Sequence, residues 1–155
     1  MGDPWNEALW DEVSKDGVKA LICDSTNVFS REPGRSESTI GDAITDMMKE
    51  ATGMVVATTF ASNIARLKTL ALAAQKADRS VVLLGRAMRR MVEAATEVGI
   101  LKGFPSVVSP EDALQMPREN VMLLVTGSQG ERRAASAQLA QGNYMGIKLK
   151  DGDTF

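Results

Sequence analysis

The chain has no histidine in 155 residues and a single cysteine, Cys23. Imidazole supplies most zinc hydrolase ligands and most general-base triads, because its pKa lies near neutrality and its ring nitrogens bind metal. None of those sites can be built from this chain alone. One cysteine excludes an internal disulfide, which fits a reducing compartment. Long hydrophobic runs are missing too: stretches such as Val121 to Val125 fall far short of the ~20 residues that a membrane span requires. Met1 to Trp10 is acidic where a signal peptide would be basic, and no apolar segment follows. A cytoplasmic protein with no membrane partner is expected.

Neither sign of charge dominates. The 18 basic and 20 acidic residues give a net charge of -2, so there is no global attraction to nucleic acid. Their distribution is uneven, however. Arg86, Arg89 and Arg90 open one predicted helix, and Arg132 and Arg133 open another. Helix starts favour acidic residues because of the macrodipole, so these cations are either ordinary solvated arginines or a local anion-facing patch.

What is present is a repeated alternation. Apolar runs at Val18 to Cys23, Met54 to Thr58, Ser80 to Leu84 and Val121 to Val125 each end in a turn of small polar residues, and a helix-patterned segment follows each turn. This predicts βαβ units: an α/β fold of three layers, a doubly wound and mainly parallel sheet with helices on both faces, in one domain over residues 1–155. A composition of 44% hydrophobic and 25% charged residues suits such a core. All four turns then fall on one edge of the sheet, outside the carboxyl ends of the strands, where open α/β sheets bind ligands.

The helices follow from periodicity. Trp5, Leu9, Trp10 and Val13 share a face of a short helix from Pro4 to Ser14, either packed on this domain's flank or turned to a neighbouring one. Val28 to Arg35, with Pro33-Gly34, reads as a loop. Ser36 is a candidate N-cap for a helix presenting Ile40, Ile44, Met47, Met48 and Ala51, and Gly53 ends it. Ser62 or Asn63 caps a helix with Ile64, Leu67, Ala71 and Ala74 inward. Met88, Met91, Val92, Ala95 and Val98 mark another, stopping at Gly99. Pro110 to Gln115 forms a short helical segment, and a weakly apolar helix runs from about Glu131 to Gln141. Asp151-Gly152-Asp153 reads as a turn into a strand begun by Thr154-Phe155. The expected core is Ile44, Met47, Val56, Leu67, Leu83, Met91, Val92, Leu123 and Leu124.

Two turns carry candidate chemistry. Asp24 follows a strand-like run, where a carboxylate either faces a crevice or forms a turn that satisfies its own backbone; Ser25, Thr26 and Asn27 supply donors. In Thr126-Gly127-Ser128-Gln129-Gly130-Glu131 the glycines allow close backbone approach, which suits a phosphate, although neither a Walker A loop nor a dinucleotide fingerprint is present. Phe60 and Phe29 either stack a base or join the core.

Four segments taken in order, Asp24-Ser25-Thr26-Asn27, Ala57-Thr58-Thr59-Phe60-Ala61-Ser62-Asn63, Gly85-Arg86-Ala87-Met88 and Thr126 to Glu131, resemble the β-CASP domain of bacterial ribonuclease J, from about Trp5 to Phe155. The resemblance implies a zinc-dependent ribonuclease of the metallo-β-lactamase fold that degrades RNA from a 5′-monophosphate end and also cuts internally. In it the β-CASP domain is inserted into the metallo-β-lactamase domain and caps its active site. Asp24 matches the acidic residue beside the metal centre, as the one catalytic group. The RNA-facing residues are then Ser25, Thr26, Asn27, Thr59, Phe60, Ala61, Ser62, Asn63, Arg86, Thr126, Gly127, Ser128, Gln129, Gly130 and Glu131.

The histidine-rich zinc motif and the Gly-His motif of that family are absent from these residues, so an excised, inactive domain is expected. It would hold no cofactor; zinc, the partner metallo-β-lactamase domain and a homo-oligomeric assembly would belong to the parent enzyme. The alternative is a freestanding nucleotide-binding or receiver-like regulatory module, for whose acidic cluster only Asp24 qualifies.

Overall fold

A computed structural model describes residues 6–32, 34–142 and 144–155, which divide into two compact units, Met1–Gly34 and Arg35–Phe155. The expected helix start at Pro4, Trp5 on its apolar face, and Pro33 of the loop lie outside the described residues. Among those described, no helix is long and apolar enough to cross a membrane.

In the first unit, helix α1 (Glu7–Lys15) begins where Asn6 accepts a hydrogen bond from the Leu9 amide at 3.2 Å. Glu7 in its first turn and Lys15 in its last complement the macrodipole. The strand expected over Val18 to Cys23 is not formed, and Leu21 and Ile22 are exposed. A strand exists only with a ladder partner, and among the described residues this segment has none. The sheet therefore has three strands rather than four.

The second unit holds that sheet. Strands β1 (Val55–Thr58), β2 (Ser80–Leu84) and β3 (Val121–Val125) lie in the order β1-β3-β2, all parallel, with Leu123 of β3 level with Val56 on one side and Val82 on the other. As the central strand, β3 is buried along its whole length, which is why it reads as an unbroken apolar run. One sheet face carries Val55, Val81, Leu83, Met122 and Leu124 against helices α2 (Gly41–Glu50), α3 (Ile64–Lys76) and α4 (Arg86–Glu97). The other carries Val56, Val82, Leu84, Leu123 and Val125 against the short helices α5 (Pro110–Ala113) and α6 (Ala135–Ala140). In α3, Ala71, Ala73 and Ala74 are buried, so the helix backbone lies close to the sheet.

Of the expected core, Met47 and Met91 are instead exposed, because each sits on the shoulder of its helix's apolar stripe. Ile44 is half-buried against the core. Helix α6 starts at Ala135 rather than near Glu131, since hydrogen bonds from Gly130 to Gly127 and from Ala134 to Glu131 hold the preceding residues in turns.

Two polar clamps close the end of the sheet remote from the strand tips. Arg79 is buried, and its guanidinium donates to the carbonyls of Met48 (3.0 Å), Gly53 (2.7 Å), Val121 (3.4 Å) and Ala51. Burial lowers its pKa, while the charge of Glu119 opposes that shift. Asp153, a half-buried residue whose side chain is covered, pairs with Arg118 and accepts from the amides of Met54 (2.9 Å) and Lys150 (2.8 Å). This fixes the turn that the sequence predicts there, and Thr154 then bridges to Val55 in parallel. Burial disfavours the ionised Asp153 carboxyl, but the Arg118 hydrogen bond and the two amides outweigh it and hold the pKa below the ordinary carboxylate value.

Truncating Leu123 to alanine should lower unfolding free energy by ~2–5 kcal/mol in urea titrations, whereas Met47→Ala should change it by less than ~0.5 kcal/mol. Comparable losses at both positions would contradict the core described. For Asp153 the folded pKa lies below the unfolded value of ~3.9, so its stabilisation is full above that value and is lost as pH falls through the folded pKa. Asp153→Asn should flatten the fall of the urea midpoint across that acid range; unchanged acid sensitivity would assign the effect to other carboxylates.

Candidate functional site

The carboxyl ends of the three strands lie along one edge of the sheet, because the strands are parallel and each connection returns over a face. Thr59, Phe60, Ala61, Ser62 and Asn63 follow β1; Gly85 and Arg86 follow β2; Thr126 through Glu131 follow β3. The structure thus brings together the tip residues singled out after all three strands. Asp24, Ser25, Thr26 and Asn27 belong to the other unit, where they form an exposed turn.

That turn satisfies itself. One Asp24 carboxylate oxygen accepts from the Thr26 amide at 2.7 Å and from the Thr26 hydroxyl, and the Val28 amide donates to the Ser25 carbonyl at 3.0 Å. The Thr26 hydroxyl and then its amide lower the Asp24 pKa. Those hydrogen bonds favour the ionised form of the Asp24 carboxyl. Phe29, nearby in sequence, is almost fully exposed.

On the sheet edge, Thr59 is buried with its amide donating to the Val125 carbonyl at 3.3 Å, which couples the β1 tip to β3. Phe60 presents about half its surface to solvent, with 49% exposed. Asn63 resolves the choice between two caps: its side chain accepts from the Arg66 amide at 3.0 Å, starting α3. Thr58, the last residue of β1, has a buried hydroxyl with no hydrogen-bond partner among the described residues. In the sequence Thr58 merely completes the strand pattern, and the Thr58-Thr59 pair at a strand end is the one local signal of it.

The β3 tip is built on close approach. The Thr126 carbonyl accepts from the Ser136 amide at 3.1 Å, and its hydroxyl accepts from the Ala135 amide at 3.3 Å. Gly127 has φ +116°, and a Cβ there would lie 1.8 Å from the Ser136 hydroxyl. Gly85 has φ +113°, and its Cβ would lie 2.9 Å from the Thr126 hydroxyl, so the β2 and β3 tips pack backbone against side chain. Glu131 accepts from the Gln129 amide at 3.1 Å and closes the turn. Ser128, Gln129 and Gly130 are left exposed at its apex.

Among the described residues, no three His, Cys, Asp or Glu side chains are grouped to hold a metal ion. The lone Asp24 carboxylate, already engaged by Thr26, does not fit a zinc site by itself. What the edge offers instead is neutral hydroxyl and amide donors, an exposed ring and arginine.

Residues 52–155 match the family described as Ribonuclease J, beta-CASP domain. The chain belongs to the ribonuclease J β-CASP family. The matched span contains β1, β2, β3 and all three tips. The chain is 36% identical over 154 residues to a ribonuclease J of Sinorhizobium meliloti, covering 99% of this chain and 27% of the relative. It is 38% identical over 140 residues to a ribonuclease J of Mycolicibacterium smegmatis, covering 88% and 25%. Ribonuclease J 1 of Streptococcus pyogenes is 33% identical over 156 residues, covering 99% and 28%. The chain therefore spans about a quarter of the length of these curated relatives.

Gly127→Ala should destabilise the protein by more than ~1 kcal/mol, because alanine is disfavoured at positive φ and its methyl would collide with Ser136. Gly130→Ala has the same kind of φ, +73°, but no atom within 4 Å, and should do less harm. Urea unfolding of both variants checks this; an equal effect would mean that close packing at Gly127 contributes nothing.

Proposed function

We propose that the chain is the β-CASP part of a ribonuclease J, and that its strand-tip edge holds RNA over a catalytic centre completed by the metallo-β-lactamase domain of the same enzyme. The observation that carries this reading is that the three tip segments on one sheet edge all fall inside the span matching the β-CASP family. The relatives' fourfold greater length supports a part of a larger enzyme, which on this reading is a zinc-dependent 5′-to-3′ exonuclease and endonuclease of the cytoplasm. Within the chain, the Arg35–Phe155 unit contains the whole matched span and is read as the β-CASP domain proper. The Asp24 to Asn27 turn contributes the candidate catalytic carboxylate.

The chemistry suits a phosphodiester backbone. Exposed Ser128 and Gln129 side chains donate to phosphate oxygens, while Gly130, with open space where a Cβ would stand, lets the strand approach the peptide backbone. Thr59, Ser62 and the amide nitrogen of Asn63 provide donors at the β1 tip, and half-exposed Phe60 offers a ring for base stacking. Such contacts bind and orient RNA without breaking it. Water activation is the task of the zinc ions expected in the other domain.

Two outcomes follow. After chelation and zinc reloading, the 155-residue chain should contain no stoichiometric zinc and show no ribonuclease activity; one tightly held zinc per chain would overturn the reading. In the full-length enzyme, Ser128→Ala and Gln129→Ala should each slow processing of 5′-monophosphorylated RNA up to about tenfold, the loss of one neutral donor being worth ~0.5–1.5 kcal/mol. Rates equal to wild type for both folded variants would remove this turn from the RNA path.

A further inference from the structure

The β2 side of the tip edge differs in charge from the β1 side. Three arginines, Arg86, Arg89 and Arg90, line one shallow hollow of about 510 Å³ at the start of α4, with Ala87 and Glu93. Arg86 and Arg90 are exposed and Arg89 is half-buried. None of the three is in an ion pair among the described residues, and the Glu93 carboxylate, one turn away, is not within 4 Å of them.

This arrangement is unfavourable for the helix on its own. Arg86 stands three and four residues from Arg89 and Arg90, so the like charges share one helix face, and they crowd the end where the macrodipole is already positive. The first turn contains no acidic residue, and the N-cap, Gly85, has no side chain to offset them. Next along the edge, exposed Arg132 and Arg133 follow the tip of central β3, also outside any ion pair among the described residues. The β1 tip, by contrast, carries Thr59, Phe60, Ala61, Ser62 and Asn63, all uncharged. The edge thus has a neutral, hydrogen-bonding half and a cationic shoulder.

We infer that Arg89 and Arg90, with Arg86, form a secondary contact for the phosphate backbone of single-stranded RNA, so that a strand held at the β3 tip continues over α4. This rests on the reading of the edge as an RNA site. A polyanion with one charge per nucleotide matches a row of guanidinium groups that no carboxylate neutralises, and an arginine can grip a phosphate with two parallel hydrogen bonds. Such contacts carry no base specificity; their signature is salt dependence.

The test is binding of a short 5′-monophosphorylated oligouridylate to the 155-residue protein across a salt series. Each phosphate contact on a single strand contributes about 0.7 to the slope of log affinity against log salt, so Arg89→Gln/Arg90→Gln should lower its magnitude by about 1.4. The control, Lys49→Gln/Lys102→Gln, removes the same charge from exposed positions away from the strand tips and should leave the slope unchanged. Folding of each variant is checked by its urea midpoint. A wild-type slope in the arginine variant, or an equal fall in the control, would overturn the inference while leaving the RNA site standing. Absence of any salt-dependent binding by the wild type would overturn both.

Discussion

The buried guanidinium of Arg79 is the constraint on which the second unit depends. It immediately precedes β2, yet its bonds go to the last turn of α2, to the connection entering β1 and to the first residue of β3. Four chain segments that meet at the closed end of the sheet are thus held by one planar group. Burying a cation is costly unless it is fully hydrogen-bonded, and here backbone carbonyls rather than a carboxylate provide the compensation. A parallel sheet needs its strands to start level, and Arg79 is what levels them. Lysine would carry the charge but lacks the fork needed to reach several carbonyls at once.

With one end so fixed, the opposite end is free to vary. Strand lengths of 4, 5 and 5 residues bring the tips out on a common edge, where the Thr59 amide ties the β1 tip to the end of β3 and Thr126 ties the β3 tip to the start of α6. Thr126 is central to this: its carbonyl and hydroxyl anchor the start of α6 while its side chain abuts Gly85 of the next tip. The apex residues Ser128 and Gln129 stay exposed on a rigid base.

Sequence pattern was informative where burial is decided locally. Ser80 to Leu84 and Val121 to Val125 are strands residue for residue, because continuous apolar runs bounded by turns have few alternatives in a parallel sheet. The same pattern fails at Val18 to Cys23, since an apolar run says nothing about whether a partner strand exists. Met47 and Met91 fit the helical period yet lie at its margin, where tertiary packing rather than spacing sets exposure. At the tips, the glycines pointed to close approach, but only the fold shows that Gly127 accommodates Ser136 and Gly85 accommodates Thr126. The two roles weighed for Asp24 both concern its surroundings, and the local geometry establishes the self-satisfied turn without bearing on catalysis. Arg79 gave no signal at all, because a lone arginine before a strand looks like any surface cation.

The single bridges from Thr154 to Val55 and from Val107 to Val81 flank the sheet on opposite sides, both at the end remote from the tips. Each acts as a short guard rail on an otherwise open edge strand. Edge strands are where sheets of separate molecules fuse, and a guard at one end restricts such fusion to the other. The half of each edge strand nearer the tips is therefore where the backbone is left open to pairing with a second copy.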